Sequence, residues 1–239
     1  YGTDAFRFTL AAMAAQGRDV KLAEERIEGY RNFCNKIWNL ARFTLMNIEE
    51  SGVRSQKSEV KDSYSLADKW ILTRLNAAIK EVTSALENYR FNDAANSVYQ
   101  FIWHELCDWY VELIKPDLRG ENGEEKKKTT QVALLKILQD SLKLLHPLMP
   151  FITEEIWSVL PQGTEVRSLP LKVLIKGQKS EVGWAAPTSI MQQSFPPAGE
   201  DYPDAEKDMT CIMDVIRALR NIRSEMNIPP ALNIEAVCY

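Results

Sequence analysis

Lys36 and Phe43 stand seven residues apart in the stretch YRNFCNKIWNLARF, residues 30–43, in the company of Asn32 and Asn39. At about 100° per residue these positions and Asn47 share one side of a helix. An apolar stripe of Ile27, Tyr30, Cys34, Ile37, Trp38, Ala41, Leu45 and Ile48 occupies the other. A phenylalanine among amides and an ammonium on the wet side of a helix has three readings. It is plain surface, a second packing face, or a seat for a planar, hydrogen-bonding ligand. The last is the chemistry of single-stranded nucleic-acid binding, in which bases splay onto aromatic rings and amides and cations bond their edges. Arg42 adds a cation beside Phe43 and completes the candidate set Asn32, Lys36, Asn39, Arg42 and Phe43. A bundle helix can also bury two faces, and spacing alone leaves both readings open.

Other constellations are bland. There is no glycine-rich phosphate loop, no Gly-x-Ser-x-Gly elbow and no Cys or His cluster with ligand spacing. His146 precedes a proline in an apolar run, the setting of a satisfied core histidine rather than a general base. Glu154 and Glu155 are neighbours in sequence and point about 100° apart on a helix. Trp70, Trp103, Trp109 and Trp157 sit among leucines at helical spacing and read as core. Arg217, Arg220 and Arg223 ride one late helix; Arg223 falls near its apolar side, where a buried ion pair is expected and phosphate contact is the lesser reading. No catalytic residue and no metal ligand is assigned.

Composition narrows the classes. The chain has 239 residues, 45% of them hydrophobic and 26% charged, with a formal charge of -4. That balance opposes a protein that blankets duplex DNA, which needs a broad basic footprint. No stretch approaches the roughly 18 uninterrupted apolar residues of a membrane span. Four scattered cysteines without a C-x-x-C pair fit a reducing, cytoplasmic setting. The chain opens on Tyr1 rather than Met and closes on NIEAVCY, which alternates like one strand with nothing to pair with. A piece of a longer protein is the expectation.

The elements that must hold the candidate residues are helical. Thr3 or Asp4 is expected to cap a first helix that Gly17 ends. A second runs from about Ala23 to Asn47, and a third from Ser65 to Glu87 with Leu66, Trp70, Leu75, Ile79, Val82 and Leu86 inward. A fourth, capped by Asn92 or Asp93, reaches Lys115 before Pro116. GENGEEKKKTT, residues 120–130, reads as a solvated turn. Helix then resumes from Gln131 to Leu160, broken by Pro147 and Pro150. Residues 161 to about 203 read as a crossover, and Ala205 to about Asn227 as a last helix stopped by Pro229 and Pro230. The predicted architecture is mainly α: a helical bundle over 1–160, then a linker, helix and first strand of a truncated α/β subdomain over 161–239.

YGTDAFRFTLA, GRDVKL and RIEGYRNFCNKIWNLARF resemble the stretch that follows the Lys-Met-Ser-Lys-Ser loop of class I aminoacyl-tRNA synthetases. LADKWILTRLN, WHELCDWYVELIKPDL, LLHPLMPFITEEIW and IRALRNIRSEMNIPP follow in the same order and spacing. The wording is most similar to the valyl-tRNA synthetase branch; residues 166–188 depart from it. The resemblance implies an anticodon-binding bundle in an enzyme that joins valine to tRNA(Val), using ATP and magnesium. Its partners would be the tRNA anticodon region and the catalytic domain of the same chain, and its setting a cytoplasmic monomer. It maps a basic residue and an aromatic that meet the anticodon loop onto Lys36 and Phe43. Neither catalytic signature motif nor the editing domain is present, so this chain alone is expected to hold no cofactor and to be inert in aminoacylation. The rival readings are the equivalent domain of an isoleucyl or leucyl enzyme, or a helical module that docks proteins through the same face.

Overall fold

In a computed structural model, residues 1–14, 22–48, 64–161, 189–229 and 232 are described. They form a helical bundle. The elements are α1 (Thr3–Met13), α2 (Glu24–Ile48), α3 (Leu66–Glu87), α4 (Phe91–Tyr99), α5 (Val111–Leu113), α6 (Lys115–Leu118), α7 (Glu124–Leu145), α8 (Pro150–Val159) and α9 (Pro203–Glu225). A π-helical segment, Gln100–Tyr110, joins α4 to α5 without a break, and a 3₁₀ turn spans Ile190–Gln192.

Local chemistry explains most boundaries. Ser65 caps α3 in a reciprocal box: its hydroxyl accepts from the Asp68 amide, and Asp68 accepts from the Ser65 amide. Pro150 and Pro203 each sit in a first helical turn, where a missing N–H goes unnoticed. At the C-terminus of α3, the Arg90 amide donates to Ala85 and the Tyr89 amide to Leu86, with Tyr89 in the left-handed region at φ 55°. This is the 6→1 and 5→2 pattern that usually takes glycine.

Tyr30 meets Tyr99, Phe33 meets Trp103 and Lys36 meets Asp108, so α2 and the α4–π rod run parallel. On its other side α2 meets α7, where the Gln131 amide donates to the Asn47 carbonyl at 2.6 Å. Phe8, Phe33, Ile37, Ile71, Leu75, Ile102, Leu106, Ile114, Leu134 and Ile137 are fully buried between the helices. Alpha9 joins the same body through α3. The Asn76 side chain accepts from the Gly199 amide and donates to the Glu200 carbonyl, Lys80 pairs with Asp201, and Met209 and Met213 enter the core.

Several expectations need correction. Alpha1 is capped by Gly2 without a side-chain bond. Asp4 instead caps α8 across the fold, accepting from the Phe151 amide at 3.3 Å and the Ile152 amide at 2.6 Å, because the first turn of α8 has no cap of its own. Asn92 and Asp93 lie inside the first turn of α4, whose cap position is Arg90. Pro116 does not end the rod; a single turn residue, Ile114, precedes it, and Pro116 sits in the first turn of α6. The stretch 120–130 is a turn only at its start: residues 120–122 turn, Gly123 is the cap position of α7, and Glu124–Lys128 form its first turns, with acids at the end that favours them. Leu66 is exposed and Leu86 only half-buried. Among the described residues Arg223 makes no buried ion pair; half-buried, it donates to the carbonyls of Pro229 and Leu232 at 2.6 and 2.9 Å. The proline break between α7 and α8 stands as expected. Gly17, residues 166–188 and the strand expected at 233–239 lie outside the described residues.

Candidate nucleic-acid interface

Alpha2 buries two faces. Ile27, Ile37, Ala41, Leu45 and Ile48 are buried as the apolar stripe requires, and so are Phe33, Leu40 and Thr44 on a second flank. The solvent face left between them is narrow. Glu28, Asn32, Asn35, Asn39, Arg42 and Met46, alternately four and three residues apart, are all exposed and make a straight ridge. Asn32, Asn39 and Arg42 therefore stand where the sequence placed them. Among the described residues their side chains are engaged in no hydrogen bond or ion pair.

Phe43 does not stand opposite the core. It is half-buried on the shoulder of the ridge and packs against the core from there. Lys36, also half-buried, is on the same shoulder. Together with Asn39 and Leu40 they form one wall of an open groove of about 260 Å³, whose other wall is Cys107, Val111, Glu112 and Lys115. The π segment supplies Cys107 to this wall, and at more than four residues per turn it sets Trp103 and Asp108 against α2.

The Lys36 ammonium is held at 2.8 Å from Asp108 Oδ1 and 5.2 Å from the centre of the Trp103 ring. That ring is stacked on Tyr99. Burial pulls the Lys36 pKa down, but the hydrogen bond and charge of Asp108 outweigh it and the net shift is upward. Lys36 is a fixed cation here. Its ion pair is about one-third exposed on both sides, and such pairs contribute about 0–1 kcal/mol, so an RNA phosphate or base can share the ammonium at small cost. On the second wall of the groove, burial pushes the Cys107 thiol up to about 12, which keeps it protonated and unreactive.

The sequence reading missed Asn35 and Met46, although both follow from Asn32, Asn39 and Arg42 by the same three-four spacing. It also missed Trp103, Asp108, Glu112 and Lys115. Their run read as apolar nearly all round, and nothing in it marks which side meets α2.

Elsewhere most polar groups have structural partners, the buried Thr130 hydroxyl and Gln131 side-chain carbonyl excepted. His146 Nδ1 lies 2.7 Å from Thr153 Oγ1, and burial lowers its pKa, as befits a satisfied histidine. Trp70 and Trp157 are core, whereas Trp103 and Trp109 are only half-buried; the Arg217 and Arg220 guanidiniums lie over the Trp109 ring at 5.4 and 5.3 Å. Among the described residues no cluster of three His, Cys, Asp or Glu is placed to hold a metal, and no helix is long and apolar enough to cross a membrane.

A helical bundle with an amide-rich, cation-bearing ridge and an aromatic shoulder offers the donors, acceptors and ring that single-stranded nucleic-acid binding uses. A family model described as the anticodon-binding domain of tRNA ligase matches residues 68–238, and the chain belongs to that family. Alpha2 precedes the matched stretch but lies within the span of full-length relatives. A valine–tRNA ligase of Geobacter sulfurreducens is 50% identical over 99% of this chain and 24% of its own length. One of Thermotoga maritima is 42% identical over 98% of this chain and 24% of its own. The chain thus spans about a quarter of the length of these relatives. A solved LeuRS–tRNA–LeuAMS complex from Agrobacterium radiobacter K84 overlaps 71% of this chain and 20% of that one, at 19% identity and a TM-score of 0.47, too loosely for any residue to be carried across.

Proposed function

We propose that the chain is the anticodon-reading part of a valine–tRNA ligase, and that the exposed ridge and shoulder of α2 are the surface that meets the anticodon loop of tRNA(Val). The observation that carries this reading is the placement of Asn39 and Arg42 on the exposed ridge of α2 with Lys36 and Phe43 half-buried on its shoulder, on a helix otherwise buried on two faces. Phe43 offers a ring edge and partial face to an unstacked base. Lys36 donates to a base edge or phosphate, and Asn32 and Asn39 each offer an amide donor and acceptor. The identity to valine–tRNA ligases along nearly the whole chain supports valine over isoleucine or leucine.

In such an enzyme, a cytoplasmic monomer, ATP and magnesium serve the catalytic domain of the same polypeptide. The role of this chain is to hold the tRNA by its anticodon, and by itself it does not aminoacylate.

The test is equilibrium binding of the 239-residue chain to a stem–loop RNA carrying a valine anticodon, beside one with the middle base changed, at two salt concentrations. Weaker binding to the altered loop is expected. Lys36→Ala should weaken binding and reduce the salt slope by about 0.7–1. Equal affinity for both loops overturns the assignment.

A further inference from the structure

Resting on that reading, we infer that Arg217 and Arg220, carried on the Trp109 ring, form a seat for the phosphate backbone of the same RNA on the α9 flank of the π segment, apart from α2. Three cations stand three residues apart on α9: Arg217, Arg220 and Arg223. Like charges one turn apart destabilise a helix unless an opposite charge offsets them. Two of the three have partners. Arg217 is bonded to Asp214 at 2.8 Å, and Arg223 donates to the carbonyls of Pro229 and Leu232. Arg220 is exposed, and among the described residues it makes no hydrogen bond or ion pair. It also stands more than a turn before the end of α9 at Glu225, too far inside for the helix dipole to account for it.

What holds Arg220 is Trp109. The ring is half-buried, and the Arg217 and Arg220 guanidiniums lie 5.4 and 5.3 Å from its centre. A guanidinium over an aromatic ring is oriented in advance and keeps its N–H groups free to donate. Two such planar forks over one ring match the paired oxygens of a phosphate. The ring thus presents cations rather than a bare face, so the seat takes charge and not a stacked base. It borders an open cleft of about 300 Å³, to which His104 and Thr210 add polar atoms. The two carboxylates of that cleft, Glu105 and Glu206, are both bonded by Arg74 and their charge is offset. Position decides which anion is bound. Trp109 follows Asp108, whose carboxylate holds Lys36 on the α2 flank, so the two sets of cations stand on different flanks of one rod. A helix is about 10–12 Å across, and an RNA whose loop lies on α2 has backbone within reach of the seat. Trp109 is a positioning residue that acts through the arginines.

The experiment titrates Arg220→Gln in the 239-residue chain with the valine anticodon stem–loop and its middle-base variant at several salt concentrations. Affinity at low salt should fall about 2- to 5-fold, the worth of one exposed charge pair, and the salt slope should shrink by about 0.7–1. The fall should be equal for both loops, because a phosphate contact carries no base preference. Arg220→Lys should restore the slope. Trp109→Leu should lower the slope with helical content intact, a change that a purely structural tryptophan would not produce. An unchanged slope in Arg220→Gln, with loop discrimination intact in wild type, overturns the seat and leaves the anticodon reading standing. Loss of poly-glutamate binding in that variant with RNA binding unchanged would give the seat to an acidic protein segment and overturn the proposal as well. Should wild type fail to distinguish a valine loop from an unrelated hairpin, the anticodon reading falls and takes with it the claim that the seat serves that RNA.

Discussion

Tyr110→Phe isolates the most deeply buried polar link in the bundle. The Tyr110 ring is fully buried, and its hydroxyl donates to Asp68 Oδ1 at 2.7 Å; Asp68 is also fully buried and uses its other oxygen for the Ser65 amide and hydroxyl at 2.9 and 2.8 Å. Removing the hydroxyl leaves Oδ1 without its donor in a site closed to water. A hydrogen bond to a charged group contributes about 1.5–3 kcal/mol, and most of that loss is retained because the orphaned oxygen stays buried. At about 2–4 °C per kcal/mol for a chain of this size, the melting temperature should fall by about 3–12 °C. The pH dependence adds a second signature. Burial raises the Asp68 pKa, and the Tyr110 hydroxyl counters it, so the variant's Asp68 pKa lies higher still. With a raised folded pKa, stability is fully present below the unfolded value of 3.8 and is lost as pH rises through the folded value. The gap between variant and wild type should therefore be widest at neutral pH and shrink in acid, as Asp68 becomes protonated in both. Thermal melts followed by circular dichroism from pH 3.5 to 7.5 test this. A variant within 0.5 °C of wild type across that range would refute the claim that Asp68 depends on Tyr110.

Asp4→Ala removes the cap that α1 lends to α8 and should cost about 0.5–2 kcal/mol in urea unfolding; no loss would mean that the bonds to the Phe151 and Ile152 amides are not held in solution. The fully buried Tyr110 phenol has its pKa raised well above 10, so its own contribution to stability should be constant below pH 10 and decline above it, as tyrosine ionises in the unfolded chain first. A flat stability profile through pH 11 would contradict that. Burial lifts the thiols of Cys34 and Cys107 to about 11 and 12, whereas Cys211 is exposed. Alkylation at pH 8 followed by peptide mass spectrometry should mark Cys211 and spare the other two, and rapid labelling of Cys107 would show that the groove wall opens.

Much of the bundle was legible because helices announce their ends chemically. Ser65 with Asp68 and Pro150 mark the starts of α3 and α8 to within a residue, while the proline pair stands four residues beyond the end of α9 at Glu225. The π segment was not legible. Phe101, Ile102, Leu106, Cys107 and Tyr110 turn inward at a spacing that a wheel drawn at 100° per residue smears around the whole helix. That same smear concealed Trp103 and Asp108 as partners for α2. Asp4 was recognised as a capping residue, but its client is 147 residues away, a separation no local pattern encodes. At the candidate site the residue types were right and the geometry was coarse. Phe43 reads as outward only if α2 buries one face; the second flank of Phe33, Leu40 and Thr44 turns it into a shoulder, so its ring both packs and remains available.

That double role makes Phe43→Ala the most direct test of the central claim. Affinity for a valine anticodon stem–loop should fall by about 5- to 150-fold, the worth of one base stacked on an aromatic ring. Circular dichroism should show the helical content intact. Unchanged affinity with an intact fold would contradict the account, because the shoulder of α2 would then be packing alone.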